Sequence, residues 1–322
     1  MNVLVTGGAG YIGSHMVKLL SERGHHAVVL DDLSTGHRDA VGGARLVEGD
    51  IGDEARVRAL LEAEKIRAVV HFAAFSLVAE SVAEPEKYRR NNVVKAEALL
   101  RAMRAAGVER LVHSSSAAIY GDPQSVPIDE AHPLRPINPY GASKLAVERL
   151  LDAAHAGHGL RSISLRYFNA AGADPSGRLG ERHHPETHLV PLVLQAAAGK
   201  RNAVEVYGSD FPTRDGTCVR DYVHVSDLCE AHLRALEWLE GGGRREAVNL
   251  GSEHGVTVLE VIEAARRETG APIPTVNAPP RAGDPAALVA STARAGRVLG
   301  WRARADLQEI VRDAWRWELR RG

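Results

Sequence analysis

The sequence predicts an α/β fold built on a doubly wound parallel sheet, and three observations support this prediction. Short β-branched runs alternate with helical patterns through the first half of the chain. The strand-like runs are almost continuously apolar, as expected for strands covered on both faces. A glycine-rich turn joins the first strand to the first helix, where sheets of this kind bind phosphate groups. Together these features predict a Rossmann-like arrangement.

The elements of the first half follow one another in a regular order, which predicts a dinucleotide-binding domain over residues 1–168. Each strand-like run is followed by a helical pattern or a turn, as in repeated βαβ units. The predicted strands are Val3–Thr6, Ala27–Leu30, Ala44–Glu48, Ala68–Phe72, Leu111–Ser114 and Ser162–Tyr167. The predicted helices are Ile12–Arg23, Asp53–Glu64, Asn91–Ala106 and Tyr140–His155.

The alternation stops after about Asn169. The segment Gly172–Thr187 is rich in Gly, Pro, His and charge, which predicts a long loop. Beyond it, helices and short strands mix, and we expect a smaller substrate-binding lobe over residues 169–322, interleaved with the first domain. Its predicted elements include Leu189–Ala198, Val204–Tyr207, Val225–Leu239 and Thr257–Thr269.

Composition excludes several classes of protein. The chain has 322 residues, of which 44% are hydrophobic and 25% charged, so it can bury a sizeable core. The net charge of -1 gives no support for a nucleic-acid or membrane-surface binder. Two cysteines, Cys218 and Cys229, do not suggest a disulfide scaffold and favour a reducing cytoplasm. No apolar run is long enough to predict a membrane span, and no signal peptide is expected.

The glycine-rich turn predicts a dinucleotide site. Gly7, Gly10 and Gly13 are spaced three apart between the first strand and the first helix. Glycine permits a tight turn and lets the backbone approach a pyrophosphate at the positive end of the helix. A purely structural glycine turn is the alternative interpretation.

Acidic and small residues at later strand ends favour a bound NAD. Asp31 ends the second strand, 18 residues after Gly13, where a carboxylate can accept hydrogen bonds from both ribose hydroxyls. The same carboxylate would repel a 2′-phosphate, so NAD is favoured over NADP. Asp50 and Ile51 follow the third strand and Phe72–Ala74 the fourth, where they would contact the adenine edge and the middle of the cofactor.

A second group of residues predicts catalysis. The fifth strand ends in a triple serine, and Tyr140 follows Ser116 by 24 residues. Tyr140 and Lys144 are four apart, so they share one face of a helix. We expect the Lys144 ammonium to lower the pKa of the Tyr140 phenol, which could then accept an alcohol proton while hydride leaves the carbon. The Ser116 hydroxyl could hold the same oxygen.

With these motifs the chain resembles the extended short-chain dehydrogenases/reductases and, within them, the UDP-glucose 4-epimerase family. The resemblance covers essentially the whole chain, and the run from Asp215 to Val225 is its most family-specific part. The matching motifs are Val5–His15, Asn91–Val93, Ser114–Gly121, Pro139–Lys144, Leu165–Asn169, Asp215–Val225, Arg281–Asp284 and the end around Trp315 and Trp317.

The resemblance implies C4 epimerisation of UDP-galactose and UDP-glucose through a 4-keto sugar, with tightly bound NAD. It also implies a homodimer joined by the helices near Asn91–Ala106 and Tyr140–His155. With the glycine turn, the implied cofactor contacts are Tyr11, Ile12, Asp31, Asp32, Leu33, Ser34, Thr35, Gly36, Asp50, Ile51, Phe72, Ala73, Ala74, Ser76, Asn92, Ser116, Tyr140, Lys144 and Tyr167. The implied substrate contacts are Ser116, Tyr140, Phe168, Asn169, His188, Leu189, Glu205, Val206, Tyr207, Arg220, Arg281, Asp284 and Leu288.

Three positions depart from the family pattern. Ser76 stands where well-known bacterial members have a lysine, and Thr187-His188 stands where many have an asparagine pair. Leu288 replaces a tyrosine found in some members, which would leave more room beside the sugar. A preference for UDP-N-acetylhexosamines or UDP-pentoses is therefore the alternative to UDP-hexoses.

Other functions fit the sequence less well. A sugar-nucleotide dehydratase or decarboxylase would need acidic residues just after the catalytic serine, and this chain has Ala117-Ala118 there. A cofactor-binding sensor without turnover would lack the Tyr140 and Lys144 pair. His183, His184 and His188 have no cysteine or carboxylate partner at metal-ligand spacing, so we expect exposed histidines and no metal.

Overall fold

A seven-stranded sheet forms the centre of the computed structural model, which describes residues 1–281 and 283–321. Every neighbouring pair of its strands is parallel, which confirms the predicted fold class. From one edge to the other, the strands are β10 (Arg245–Leu250), β6 (Arg161–Tyr167), β5 (Arg110–Ser116), β4 (Ala68–His71), β1 (Asn2–Thr6), β2 (His26–Asp31) and β3 (Arg45–Glu48).

Helices cover both faces of this sheet, which explains the apolar strand sequences. Side chains of β1 alternate between two cores: Val3 and Val5 join one apolar cluster, and Leu4 joins the other. The first cluster includes the helices α1 (Tyr11–Glu22) and α8 (Val225–Glu240). The second includes α2 (Glu54–Ala63), α5 (Lys95–Ala105) and α6 (Pro139–His158).

The second half of the chain builds a smaller lobe around β9 (Val219–His224). Beside it lie α7 (Leu189–Ala197), α9 (Val258–Thr269) and α11 (Leu307–Arg321), which share an apolar cluster with it. Three short strands pair with β9: β7 (Asn169–Ala171), β11 (Gly255–Thr257) and β13 (Ala287–Leu288). A separate two-stranded sheet consists of β8 (Val204–Tyr207) and β12 (Thr275–Ala278). Because β10 and α8 also come from this half and complete the main sheet and its core, elements of the two halves interleave.

Short helices complete the structure. They are α3 (Val78–Ala83), α4 (Pro85–Tyr88), a π-helical segment at Arg89–Val94, 3₁₀ turns at Arg38–Val41 and Ala117–Ile119, and α10 (Ala293–Leu299). None of the helices in the described part of the chain has the length and apolar character that a membrane span requires. Ala282, inside the quoted Arg281–Asp284 motif, and Gly322, the last residue of the predicted second lobe, lie outside the described residues.

Several histidines are buried in the main core as neutral groups. Burial lowers the pKa of His71 to about 3 and the pKa of His15 and His232 to about 4. His15 lies on α1, where one ring nitrogen hydrogen-bonds to the Tyr11 carbonyl and the other has no partner. Protonating such a ring inside the core is unfavourable, because the positively charged imidazolium loses its hydration.

We therefore predict that acid destabilises the fold partly through His15. Its folded pKa lies below its unfolded value, so the stability it provides is present above about pH 6.5 and is lost as the pH falls towards 4. Replacing it by glutamine should reduce the difference in free energy of unfolding between about pH 7 and about pH 5 by about 2 kcal/mol. Urea titrations at the two pH values measure this. The exposed control His158→Gln should keep the parent's pH dependence; an unchanged dependence in His15→Gln would refute the assignment.

Candidate active site

The first two turns of α6 carry Tyr140 and Lys144 on one face, four residues apart. Asn138 caps the helix by accepting a hydrogen bond from the Gly141 N–H at 2.8 Å, and Pro139 occupies the first turn. A Cβ at Gly141 would lie 2.4 Å from the Ala118 carbonyl oxygen. Glycine is therefore required here so that α6 can press against the backbone that follows β5.

The carboxyl end of β5 meets this helix. Lys144 Nζ donates a hydrogen bond to the Ser114 carbonyl at 2.9 Å, and the Ser114 hydroxyl bonds to the Tyr167 hydroxyl. In the sheet register Ser116 lies beside Tyr167 at the end of β6. The structure thus brings together the predicted residues Ser116, Tyr140, Lys144 and Tyr167, and all but Tyr167 come from one strand–helix unit.

Burial dominates the electrostatics of this group. It raises the pKa of Tyr140, and a hydrogen bond with Ser116 lowers that pKa in part. Burial also lowers the pKa of Lys144 to about 8. The expectation that Lys144 would lower the Tyr140 pKa is wrong for the chain by itself. The ammonium lies 5.9 Å from the Tyr140 ring centre and donates to a backbone carbonyl, so desolvation of the phenolate outweighs its attraction.

The glycine turn lies against the start of α1. A Cβ at Gly13 would lie 2.1 Å from the Gly7 carbonyl oxygen, so a side chain there would break the turn. Gly10 caps α1 without a side-chain bond, which leaves backbone N–H groups at the helix start. This arrangement could accommodate a dinucleotide pyrophosphate.

Asp31 has a structural contact that the sequence did not indicate. Its two carboxylate oxygens accept hydrogen bonds from the Ala9 N–H and the Leu33 N–H, each at 2.9 Å. The side chain therefore ties the end of β2 to the glycine turn. Each oxygen can accept a second hydrogen bond, so a ribose diol still fits. Asp32 precedes the adjoining loop that contains Thr35 and Gly36, and its carboxylate accepts a hydrogen bond from the Ser34 N–H at 3.0 Å.

Other predicted cofactor residues lie around the ends of β3 and β4. The Asp50 carboxylate pairs with Lys95 at 2.7 Å, and the neighbouring Ile51 is buried. Phe72 packs on His232 with ring centres 4.7 Å apart. Ala73 N donates to the Thr6 carbonyl at 3.1 Å, which holds the turn leading to Ala74 beside the glycine loop.

Asn92 is fully used within the protein. Its amide accepts from the Phe75 N–H at 2.9 Å and donates to the Phe75 carbonyl and to Ser143, each at 3.0 Å. It lies in the π-helical segment, a distortion common at functional sites. Asn92 thus fastens the segment before Ser76 to α6, and Ser76 itself is exposed.

The predicted substrate residues of the second lobe form two pairs. Arg220 binds Asp284 at 2.6 Å, and the Arg281 guanidinium lies 4.0 Å over the Tyr207 ring. Tyr207 also bonds to Glu205. Between these two residues, Val206 faces the apolar cluster of the lobe and can contact a ligand only through its backbone.

A continuous path of neighbours joins this region to the serines. Leu288 lies beside Arg220 in the β9–β13 register. Leu288 and Phe168 pack against one apolar cluster that contains Ala117, the residue after Ser116. Asn169 follows Phe168 and opens β7 opposite Tyr222.

The loop before Leu189 differs from expectation. His188 caps the start of α7, and its Nδ1 bonds to the Glu181 carboxylate. His183 is half-buried and lies 3.2 Å from the same carboxylate. The prediction that these histidines lack carboxylate partners is therefore wrong for His183 and His188, because the loop folds Glu181 and Glu186 back onto them. The prediction of exposure is wrong for His183.

A buried ionic network, which was not predicted from the sequence, lies behind the site. Glu148 follows Lys144 by one helical turn and accepts two hydrogen bonds from Arg166, at 3.0 and 2.6 Å. Ser115 donates to Glu148 at 2.6 Å, and Arg166 donates to Tyr120 at 3.0 Å. The available signal was an arginine inside the apolar strand β6. The network holds α6 on β5 and β6 directly beneath Ser116.

Comparisons with known proteins agree with this geometry. Residues 3–251 match the family described as NAD dependent epimerase/dehydratase. A UDP-glucose 4-epimerase from Streptomyces lividans is 54% identical over 98% of this chain and 95% of its own length.

Solved structures are equally similar over the full length. A UDP-glucose 4-epimerase from Brucella ovis in complex with NAD has a TM-score of 0.96 and 49% identity, covering 98% of this chain and 97% of that one. A UDP-glucose 4-epimerase from Stenotrophomonas maltophila, with bound NAD and formylated UDP-arabinopyranose, has a TM-score of 0.97 and 43% identity, covering 100% and 98%.

Proposed function

The chain belongs to the NAD dependent epimerase/dehydratase family, and from that premise we propose how its residues interconvert UDP-galactose and UDP-glucose. This C4 epimerisation and its NAD cofactor were predicted from the sequence, and the full-length relatives confirm both. We assign the roles of these residues because Ser116, Tyr140 and Lys144 lie together at the end of β5.

Tyr140 accepts the proton of the sugar O4 and later returns it. Ser116, which already hydrogen-bonds to Tyr140, holds the same oxygen in place. Lys144 supplies a nearby positive charge, and its bond to the Ser114 carbonyl orients it. NAD⁺ held at the glycine turn and Asp31 would supply a reversible hydride acceptor for C4, so the cycle would be redox-neutral. Its positive ring also favours the Tyr140 phenolate that burial disfavours.

The cofactor is held mainly by the first part of the chain, residues 1–168. The glycine turn receives the pyrophosphate, and Asp31 receives the adenosine ribose through its remaining lone pairs. Asn92 acts as a positioning residue, since its hydrogen bonds fasten the segment after β4 to α6. The remaining predicted cofactor residues line the carboxyl edge of the same sheet.

The UDP part of the substrate is held by the second part, residues 169–322. Arg281 lies flat on Tyr207 and so keeps its N–H edges available for a diphosphate. Arg220 is oriented by Asp284. Firm binding of UDP and loose binding of the sugar let the 4-keto sugar turn over before hydride returns.

We propose a cytoplasmic homodimer. Three exposed valines, Val78, Val82 and Val94, lie on α3 and the π-helical segment next to α6. Covering them against a second copy would remove apolar surface from water. The few cysteines, both of them buried and reduced in the structure, suit a reducing compartment.

We predict that the purified chain converts UDP-galactose to UDP-glucose without added NAD. A redox-neutral cycle never requires the cofactor to leave, so NAD should copurify with the protein. Denaturation followed by a nucleotide assay should release NAD, and dialysed protein should gain little from added NAD. Release of NADP would contradict the role of Asp31, and absence of turnover with NAD bound would contradict the proposed reaction.

Leu288 suggests a pocket wider than UDP-hexoses require. Like Phe168, it packs against the apolar cluster that contains Ala117, the residue after Ser116, and family members with tyrosine at this position have less room beside the sugar C2 substituent. The Stenotrophomonas relative holds formylated UDP-arabinopyranose, which shows that a site of this family can hold a substituted pentose. Activity on UDP-N-acetylhexosamines or UDP-pentoses is the second candidate function.

We therefore predict turnover of UDP-N-acetylglucosamine or UDP-N-acetylgalactosamine, which Leu288→Tyr suppresses. The added ring should lower kcat/KM for these sugars by about 10–200-fold while largely sparing UDP-galactose. The control Leu288→Met keeps the volume and should keep both activities. A parent enzyme inactive on both N-acetyl sugars, or a tyrosine variant that loses all substrates equally, would contradict the role of Leu288.

A further inference from the structure

Four side chains converge in the loop between β7 and α7, away from the serines and Tyr140. They are Glu181, His183, Glu186 and His188, and each places one ligand atom within 4.8 Å of the other three. Both histidines direct Nδ1 towards the same two carboxylates. None of the contacts proposed for catalysis uses this cluster, apart from the position of His188 before α7.

The two histidine–Glu186 distances suit a metal ion better than a hydrogen bond, whereas His188 Nδ1 is hydrogen-bonded to the Glu181 carboxylate. The Nδ1 atoms of His183 and His188 lie 3.6 and 3.7 Å from Glu186 Oε1, beyond the usual hydrogen-bond range. Metal–ligand bonds of about 2.1 Å at tetrahedral angles put neighbouring ligand atoms about 3.4 Å apart. The His183–Glu181 distance of 3.2 Å is also close to this value.

Burial supplies a second, independent observation. The Glu181 and Glu186 side chains are each only 5% exposed. Glu186 Oε2 is buried without any hydrogen-bond partner, and such an oxygen is costly unless a cation or donor reaches it. Within the described part of the chain, the two histidines are the only basic side chains in ion-pair contact with these carboxylates.

The surrounding contacts orient the four side chains in advance. Glu186 Oε1 accepts hydrogen bonds from the N–H groups of Thr187 and His188, at 2.8 and 3.0 Å. Trp317 Nε1 donates to the Glu181 carbonyl at 2.9 Å. Supporting contacts of this kind are typical of the outer shell of metal sites.

We propose that Glu181, His183, Glu186 and His188 form a structural Zn²⁺ site. Imidazole nitrogen and carboxylate oxygen are both zinc ligands, and four protein ligands leave no open position for catalysis. The site fastens the loop beside Tyr11, whose ring makes an edge contact with His183, and fixes the start of α7 at His188. It therefore links the cofactor side of the protein to its substrate lobe.

The test is metal content, measured on tag-free full-length protein expressed with added zinc. Elemental analysis should find about one Zn²⁺ per chain, and His183→Ala should lose nearly all of it. The control His184→Ala changes an exposed neighbouring histidine outside the cluster and should keep the full zinc content. Protein reconstituted with Co²⁺ should show the visible absorption of a tetrahedral site, which His183→Ala should abolish.

A second variant keeps the proposal falsifiable if His183→Ala does not fold. Glu186→Gln preserves the side-chain shape, removes the charge and should lower the zinc content, with a parallel loss of the thermal stabilisation that zinc gives the parent. The alternative is an ion-pair cluster with protonated histidines. Zinc-poor parent protein whose melting temperature responds to neither zinc nor chelator would establish that alternative and overturn the proposal. Equal zinc in parent, His183→Ala and Glu186→Gln would overturn it as well.

Discussion

The packing of α6 on the carboxyl end of β5 is the constraint on which the rest of the site depends. Gly141 lets the helix touch the backbone after β5, and Lys144 then reaches the Ser114 carbonyl. One turn later, Glu148 binds Ser115 and Arg166 from the neighbouring strand. The reacting groups are therefore held by consecutive turns of one helix, and a small shift of that helix would move all of them together.

Burial of Tyr140 and Lys144 shifts the pKa values on which proton transfer depends. Removing Tyr140 from water raises its pKa, and removing Lys144 from water lowers its pKa to about 8, so burial disfavours the charged form of each group relative to its form in water. The lysine bonds to a carbonyl, and the phenol hydrogen-bonds to Ser116. We therefore expect the positive charge of the bound cofactor to favour the phenolate, which would couple proton removal to the presence of a hydride acceptor.

Local patterns predicted most of the main sheet and the helix that carries Tyr140 and Lys144. Strand periodicity and the four-residue spacing of these two side chains are both visible within short stretches of sequence. The strand β9 was missed because Arg220 and Asp221 interrupt its apolar pattern. The Glu148–Arg166 pair and the Glu181–His183 contact were missed for another reason. Such contacts depend on how the strands and loops fold in three dimensions, and a periodic sequence pattern carries no information about that. Asp31 lies at the end of β2, and its bond to the glycine turn appears only in three dimensions.

The central claim is that Tyr140 exchanges the O4 proton, and Tyr140→Phe tests it most directly. Removing one hydroxyl group leaves the glycine turn and the helix packing intact, so the variant should fold and keep its NAD. Its kcat with UDP-galactose should fall about 10²–10⁴-fold, the usual scale for a general acid–base group. A variant that retains NAD and turns over at close to the parent rate would contradict the account, because the proton would then have another acceptor.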